Sequence, residues 1–378
     1  MKILIVTNYL PPKIGGIERI SHELASALQK QGKHKVTVAS AFWPRKYVKS
    51  DWGVIEFPYK VVYFSSITLA RRLPIPNFIS PNFWKALMIL GNEYDLVFFQ
   101  SHLFILNWVL AFKLRKLKRR IWMNQGCNYV PIDSAFGKVV SFFYERLGMI
   151  VMKYSCNEFL GQSRNTSKWI SSKTNIPFKT LTNAINLEHF DYRVQDDHYP
   201  IQSKVLFVGR FEQGKGLLEC CQAVSKANEI LRSRGDTVPF ELTIIGSGSL
   251  ESKLTDGDFE INPILKGELE YSQVIATMFE SDILIQSYSQ PEGLTTVTLE
   301  GLSTGMLIVT TPLSGQGDLD GCINYLPGSL AELPYRLIEC RTRHEKRSEL
   351  VTIGRGFVED RFTWDKVAER LVLGDYSN

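Results

Sequence analysis

The sequence predicts an α/β protein built from two parallel-sheet domains in tandem, and three observations predict it. Short apolar strands alternate with amphipathic, helix-length stretches through the first half of the chain. The same alternation restarts at Lys204, after a charged segment without apolar period at 191–203. Several strands end in polar or glycine-rich turns, the edge at which open α/β sheets hold ligands.

Residues 2–7 read as a buried first strand, and Tyr9–Gly16 as a loop with two prolines and a Gly-Gly pair. Apolar residues at 17, 20, 24, 27 and 28 share one helical face, and Gly32 stops that helix. Val36–Ala39 is the next strand. A dinucleotide fold would place G-x-G-x-x-G in the first turn and an acid after the second strand. Ser40 stands where that acid belongs, which argues against a nicotinamide-dependent oxidoreductase.

Residues 42–85 are rich in aromatics and proline and read as a long irregular excursion. Asp95–Phe99 is a strand ending at Gln100-Ser101-His102, and a short apolar helix follows it. Lys113–Arg120 then carries six positive charges in eight residues, as a solvated face or a membrane contact. Ile121–Met123 is a strand ending in Asn124-Gln125-Gly126, residues 136–152 are apolar on one helical face, and Glu158–Gly161 begins another strand.

In the second half Lys204–Val208 is a strand, Gly209–Gly216 a loop, Leu217–Leu231 a helix, Leu242–Ile245 a strand and Gly246-Ser247-Gly248 a turn. The loop matches G-x-x-x-x-G-K, but Gly216 replaces the Ser or Thr that a P-loop needs for magnesium. Asp256-Gly257-Asp258 and Asp318-Leu319-Asp320 read as turn caps in place of metal pairs.

At 378 residues, 44% hydrophobic and 22% charged, the composition is that of an ordinary globular protein of two domains. The net charge of +5 gives no reason to expect nucleic acid as a partner. The six cysteines (127, 156, 220, 221, 322 and 340) form no C-x-x-C pair and read as reduced core thiols. The four-residue apolar start is a strand and not a signal peptide, and no run reaches transmembrane length, so a cytoplasmic protein is expected.

The stretch Pro291–Gly305 carries the densest chemistry. It follows the buried strand Asp282–Ile285, opens at Gly293, and starts a helix capped by Thr295 or Thr296. A helix start at a sheet edge points unsatisfied N–H groups at an anion or sugar hydroxyl. Glu292 and Glu300 bracket it, and a carboxylate accepts from two vicinal hydroxyls at once.

Together these stretches resemble glycosyltransferase family 4, retaining enzymes of the GT-B fold. The resemblance rests on Gly-Gly-Ile-Glu-Arg at 15–19, His102, Thr182–Asn186, Gly209-Arg210 with Lys215-Gly216, Ile245–Gly248, the Glu292…Glu300 pair and Phe362-Thr363-Trp364. It implies two Rossmann-like domains facing across a cleft, an acceptor-side domain at 1–190 and a donor domain at 191–360, with the tail 361–378 packing back on the first. It implies that Arg210 and Lys215 clamp the donor diphosphate, that Glu300 holds the ribose hydroxyls, and that Glu292 holds a donor-sugar hydroxyl. Gly293, Leu294, Thr295 and Thr296 would line sugar and phosphate, Gly15 and Gly16 would approach the diphosphate, and Leu265 to Glu268 would meet the base. His102 and Gln125 would be acceptor-side positions.

The implied activity is metal-independent retaining hexosyl transfer, without cofactor, from a UDP- or GDP-sugar to a lipid-linked oligosaccharide in surface polysaccharide (O-antigen, lipopolysaccharide or capsule) assembly. Two departures stand out. Asn124-Gln125-Gly126 replaces the family's Thr-His-Gly strand end, and a neutral amide shuttles no proton. Ser314–Asp318 replaces a usual Gly-Gly. A non-catalytic nucleotide-sugar-binding partner and a GT-B epimerase are the competing classes. The basic run 113–120 and the apolar face with Phe136, Val140, Phe143 and Leu147 lead to one further expectation, peripheral attachment to the anionic inner face of the cell membrane.

Overall fold

The computed structural model describes residues 1–11, 16–41, 57–69, 73–124, 135–190, 203–255, 259–288, 294–312, 317–343 and 346–376. The chain divides into two compact units, Met1–Thr182 with Trp364–Asn378, and Asn183–Thr363.

The first unit opens with β1 (Lys2–Val6), α1 (Gly16–Lys30) and β2 (Lys35–Ala41), as the apolar spacing predicts. Within 42–85 the described part is not irregular. It holds β3 (Lys60–Phe64), an antiparallel hairpin of β4 (Ser66–Leu69) and β5 (Leu73–Pro76), and α2 (Pro81–Leu90). Pro81 marks a helix start, since at the first helical position its missing N–H costs nothing. There follow β6 (Leu96–Gln100), α3 (Ile105–Lys113), β7 (Arg119–Asn124), α4 (Ala135–Ser155), β8 (Glu158–Gly161), α5 (Arg164–Thr174) and β9 (Lys179–Thr180). The sheet is parallel throughout, in the order β3-β2-β1-β6-β7-β8-β9. Phe83, Leu90, Leu110, Met149 and Met152, from α2, α3 and α4, share one core with Leu4, Val97, Phe99 and Trp122 of the sheet.

The second unit contains β10 (Lys204–Val208), α6 (Leu217–Ser233), β11 (Glu241–Ile245), α7 (Ser252–Thr255), β12 (Ile264–Gly267), α8 (Tyr271–Phe279), β13 (Ile283–Gln286), α9 (Thr296–Ser303), β14 (Leu307–Thr310), β15 (Tyr325–Pro327), α10 (Leu333–Cys340) and α11 (Arg347–Arg361). Its strands run parallel in the order β12-β11-β10-β13-β14-β15. Side chains alternate between two cores. Val205, Phe207, Ile283 and Ile285 enter one, and Leu206, Leu284 and Ile308 the other, so both faces are covered.

The division falls at Thr182/Asn183, ahead of the expected 190/191 boundary. Ile185 N donates to Phe362 O, and Ile185 and Phe190 are buried in the second unit's core, so burial decides where the boundary lies. The charged segment 191–202 lies outside the described residues.

The last helix, α12 (Trp364–Leu373), returns to the first unit, where it packs on α1. Arg119 fixes the tail there. Its guanidinium pairs in bidentate fashion with Glu158 (2.8 and 3.0 Å) and also donates to Val372 O and Leu371 O.

Candidate active site

In each sheet the strand order reverses between two neighbours, β1/β6 in the first unit and β10/β13 in the second. An open α/β sheet forms its ligand crevice at the carboxyl ends of such a pair. In the second unit β10 is followed by the loop 209–216, and β13 by residues 287–288 and, after the undescribed 289–293, by 294–295 and α9; these segments carry most of the residues singled out from the sequence.

Two glycines lock the first of these loops between its neighbours. Gly216 has φ +74°, and a Cβ there would lie 1.8 Å from the Ser287 carbonyl oxygen, in the β13 loop. Gly246 has φ +138°, and a Cβ there would lie 1.9 Å from Gly209 O. Both positions therefore exclude a side chain twice over, by backbone conformation and by contact. Gly209 N donates to Ile245 O, and Phe211 N to Ser247 O, so the loops after β10 and β11 are also hydrogen-bonded together.

Arg210 and Lys215 stand on this fixed loop. The Arg210 guanidinium is well exposed and pairs with Glu212 at 2.8 Å. An exposed pair of this kind contributes little, so a diphosphate can displace it. Lys215 Nζ lies 5.8 Å from the centre of the Tyr288 ring. Tyr288 is buried, and its N–H donates to Thr311 Oγ1 at 3.0 Å, which holds the cation's platform. Sequence reasoning missed Tyr288. Its only signal was its place two residues past a buried strand.

Across the switch point α9 begins at Thr296, with Thr295 as N-cap; its Oγ1 accepts from Thr298 N at 3.3 Å. Thr298 Oγ1 donates in turn to Gln286 Oε1 at 2.7 Å, tying the helix start to the end of β13. Helix geometry leaves the first N–H groups outside the intrahelical ladder, facing an incoming anion. Leu294 is fully buried and anchors the segment, and its carbonyl accepts from Asn183 Nδ2 at 3.5 Å.

Glu300 sits one turn into α9, only 3% exposed. A carboxylate so buried needs donors, and the Tyr271 hydroxyl supplies one at 3.1 Å. Tyr271 opens α8, and His189 packs edge-on against its ring at 5.7 Å. Tyr271 was not anticipated, because a tyrosine at a helix start reads as ordinary packing. Leu265 is 41% exposed on the edge strand β12, and Glu268, just beyond, accepts a short bond from Ser247 Oγ. Among the described residues the site thus assembles Arg210, Lys215, Leu265, Glu268, Leu294, Thr295, Thr296 and Glu300 at one edge of one sheet. Glu292 and Gly293 lie outside the described residues.

Asp320 Oδ1 accepts from Gly317 N at 3.2 Å, a turn cap as its sequence context suggested, and Asp256-Gly257-Asp258 lies outside the described residues. Among the described residues no group of three His, Cys, Asp or Glu side chains could hold a metal ion.

In the first unit the switch point gathers buried polar groups. Ser21 Oγ lies 2.9 Å from Thr7 Oγ1 and 2.5 Å from Gln100 Oε1. Gly16 is the first residue of α1; Gly15 and Gln125 lie outside the described residues. Ser101 adopts φ +69°, rare for a side chain with a Cβ, and Asn107 Nδ2 clamps the turn through the carbonyls of Gln100 and Ser101.

His102 is not open to an acceptor. It is 3% exposed, with Nδ1 3.1 Å from Asn124 Oδ1 and Nε2 3.5 Å from Glu145 Oε1. It stands as a strand-end histidine held under α4, because Gly148 lets that helix press onto the His102 carbonyl.

Residues 202–332 match the family Glycosyl transferases group 1. An uncharacterised glycosyltransferase of Methanocaldococcus jannaschii is 24% identical over 400 residues, covering 98% of this chain and 99% of the relative. A GDP-mannose-dependent monoacylated alpha-(1-6)-phosphatidylinositol monomannoside mannosyltransferase of Corynebacterium glutamicum is 24% identical over 408 residues, covering 98% and 96%. Among solved structures, Anabaena HepE in complex with UDP-glucose superposes with a TM-score of 0.67 at 16% identity, covering 99% of both chains.

Proposed function

We propose that the chain, which has the GT-B fold and matches Glycosyl transferases group 1 over residues 202–332, is a GT4-like, retaining, metal-independent hexosyltransferase. Its donor is a UDP-hexose and its acceptor a hydroxyl of a lipid-linked oligosaccharide, in the assembly of a surface polysaccharide at the inner face of the cell membrane. The observation that carries the reading is the placement of Arg210 and Lys215 on the loop after β10 and of Glu300 in α9, the helix after β13, at the switch point of the second sheet.

Each group has a task. Arg210 and Lys215 neutralise the diphosphate with charge-assisted bonds, and the N–H groups opening α9 add a fixed positive dipole. Glu300, oriented by Tyr271, accepts the two ribose hydroxyls, and Glu292 accepts a hydroxyl of the sugar. In the transfer the bond from C1 to the diphosphate oxygen breaks. The acceptor oxygen bonds C1 on the same face, and its proton passes to the departing diphosphate. Charge grows on that diphosphate as the bond breaks, so the cationic loop stabilises the transition state more than the bound donor.

The UDP-glucose bound by HepE supports a UDP-sugar. The GDP-mannose and phosphatidylinositol mannoside in the name of the Corynebacterium relative support a GDP-sugar as second reading, and a lipid-borne acceptor under either. The test is nucleoside-diphosphate release by the purified chain from UDP- and GDP-hexoses, with and without a polyprenyl-diphosphate oligosaccharide fraction. Acceptor-dependent release from one nucleotide class is expected. Interconversion of UDP-sugars without release would make it an epimerase, and no turnover of any donor would leave a nucleotide-sugar-binding partner.

A further inference from the structure

The helices that cover one face of the first sheet share a property that their fold does not require. Together α2, α3 and α4 contain a single carboxylate, Glu145, and it is 1% exposed. The outer surface of these helices is therefore free of negative side-chain charge.

It is also apolar where a surface helix should be polar. On α4, Val140, Phe143, Leu147, Ile150 and Tyr154 follow one another at helical spacing and are 47% to 81% exposed. On α2 the same holds for Trp84, Met88 and Ile89, at 51% to 75%. Ile79, 91% exposed, stands just ahead of α2, next to Phe78, whose carbonyl accepts from Trp84 Nε1. The stripes belong to one layer. Lys113 of α3 donates to the Leu87 and Gly91 carbonyls at the end of α2, and α3 and α4 share a core. Exposed apolar patches of this extent mark interaction sites.

Part of the basic run is engaged within the fold. Lys113 staples α2 to α3, Arg119 holds Glu158 and the tail, and Arg120 donates to Ser155 O and Leu117 O. Lys116 and Lys118 are exposed there; Lys85 on α2 and Arg146 on α4 add exposed positive charge beside the apolar stripes.

We propose that the outer face of α2 and α4 is a docking surface for an anionic lipid bilayer, entered to the depth of the exposed aromatic and aliphatic side chains. This deepens the membrane placement offered above by assigning it to particular helices. Charge selects the occupant. A second copy on a two-fold axis would set this cationic face against itself, whereas anionic headgroups complement it and acyl chains accept the apolar stripe. No described helix is long and apolar enough to cross a membrane, so the contact is with the surface.

The test uses the full chain and vesicles of phosphatidylcholine with or without phosphatidylglycerol, with the double variant Phe143→Ser/Leu147→Ser and a separate Met88→Ser. These side chains are exposed, so unchanged thermal unfolding is the folding control. Binding to anionic vesicles alone is expected, fading with salt, and weakened at least about tenfold in the double variant through lost apolar burial. UDP and GDP binding by the same preparations, measured calorimetrically, reports on the donor site independently. Absence of vesicle binding, or equal binding by wild type and variants, overturns the proposal even where nucleotide binds. Conversion of a dimer to a monomer by the double variant, with vesicle binding unchanged, assigns the face to a second copy and also overturns it.

Discussion

The Tyr271 hydroxyl donates to a Glu300 carboxylate oxygen across 3.1 Å, linking the starts of two helices that leave the same sheet edge. Tyr271 presents the carboxylate in one orientation, and a carboxylate can accept from both hydroxyls of a vicinal diol. Glu300→Gln is expected to weaken UDP or GDP binding about ten- to a hundredfold, the size of a lost charge-assisted bond. Tyr271→Phe should weaken it less, since the carboxylate remains. Glu292→Gln should leave the bare nucleotide's affinity intact and lower kcat. Calorimetry on the three variants checks the assignment, and a nucleotide loss confined to Glu292→Gln would reverse the two roles.

Arg210→Ala removes an exposed cation whose partner among the described residues is Glu212, so the fold should survive. The lost phosphate contact costs about 1.5–3 kcal/mol in donor binding and more in the transition state, where charge on the diphosphate grows. Donor KM should rise and kcat should fall. A folded variant with wild-type kcat would show that the diphosphate is held elsewhere.

Gly216 is where the two switch-point loops touch. Gly216→Ala sets a methyl against the Ser287 carbonyl and forces a left-handed φ on a residue with a Cβ. Destabilisation of about 1–3 kcal/mol is expected from the crowding, together with loss of nucleotide binding as the Arg210–Lys215 loop shifts. Thermal unfolding and UDP titration measure both. Full affinity in a stable Gly216→Ala protein would mean that the loop does not need this contact.

Sheet-building segments were legible because buried parallel strands are short continuous apolar runs, as in Lys204–Val208 and Asp282–Ile285. The candidate positions Arg210, Lys215 and Glu300 stood out because glycines, cations and carboxylates cluster within two short segments, 209–216 and 291–300. What stayed hidden depends on partners far away in sequence. Tyr271 gains its meaning from Glu300, and His102 is closed off by Glu145 of a helix that begins 33 residues later (135 against 102). The partners of the basic run were hidden for the same reason: Arg119 meets Glu158 and the tail and Lys113 the carbonyls of α2, while Arg115, Lys116 and Lys118 stay exposed. β3 and α2 were missed because aromatic and proline content masked short elements at the edge of the sheet.

Turnover should persist in excess EDTA. In the proposed mechanism Arg210, Lys215 and the α9 start meet the diphosphate's charge in place of a divalent ion. Product formation with and without chelator checks this. Loss of activity on chelation, restored by magnesium or manganese, would return Asp318 and Asp320 to consideration as ligands.

The Arg119–Glu158 pair makes the tail's attachment sensitive to acid. Burial alone raises the Glu158 carboxyl, but Arg119, the Tyr376 hydroxyl and Lys179 outweigh it and hold the group below its ordinary value. A carboxyl whose pKa is lower folded than unfolded stabilises fully above the unfolded value, about 4.3 for Glu. That contribution is lost as pH falls from there through the folded value. Glu158→Gln should therefore lower the thermal midpoint by an amount that is constant from neutral pH to about pH 5 and shrinks below about pH 4. Losing a charge-assisted, partly buried bond costs about 1.5–3 kcal/mol, which corresponds to a shift on the order of 5 °C for a unit of this size. Deleting the chain after Leu373 should remove the Tyr376 contribution and part of the same shift. A gap between wild type and Glu158→Gln that widens as pH falls would show that the pair does not hold the tail, because the sign of the linkage would then be reversed.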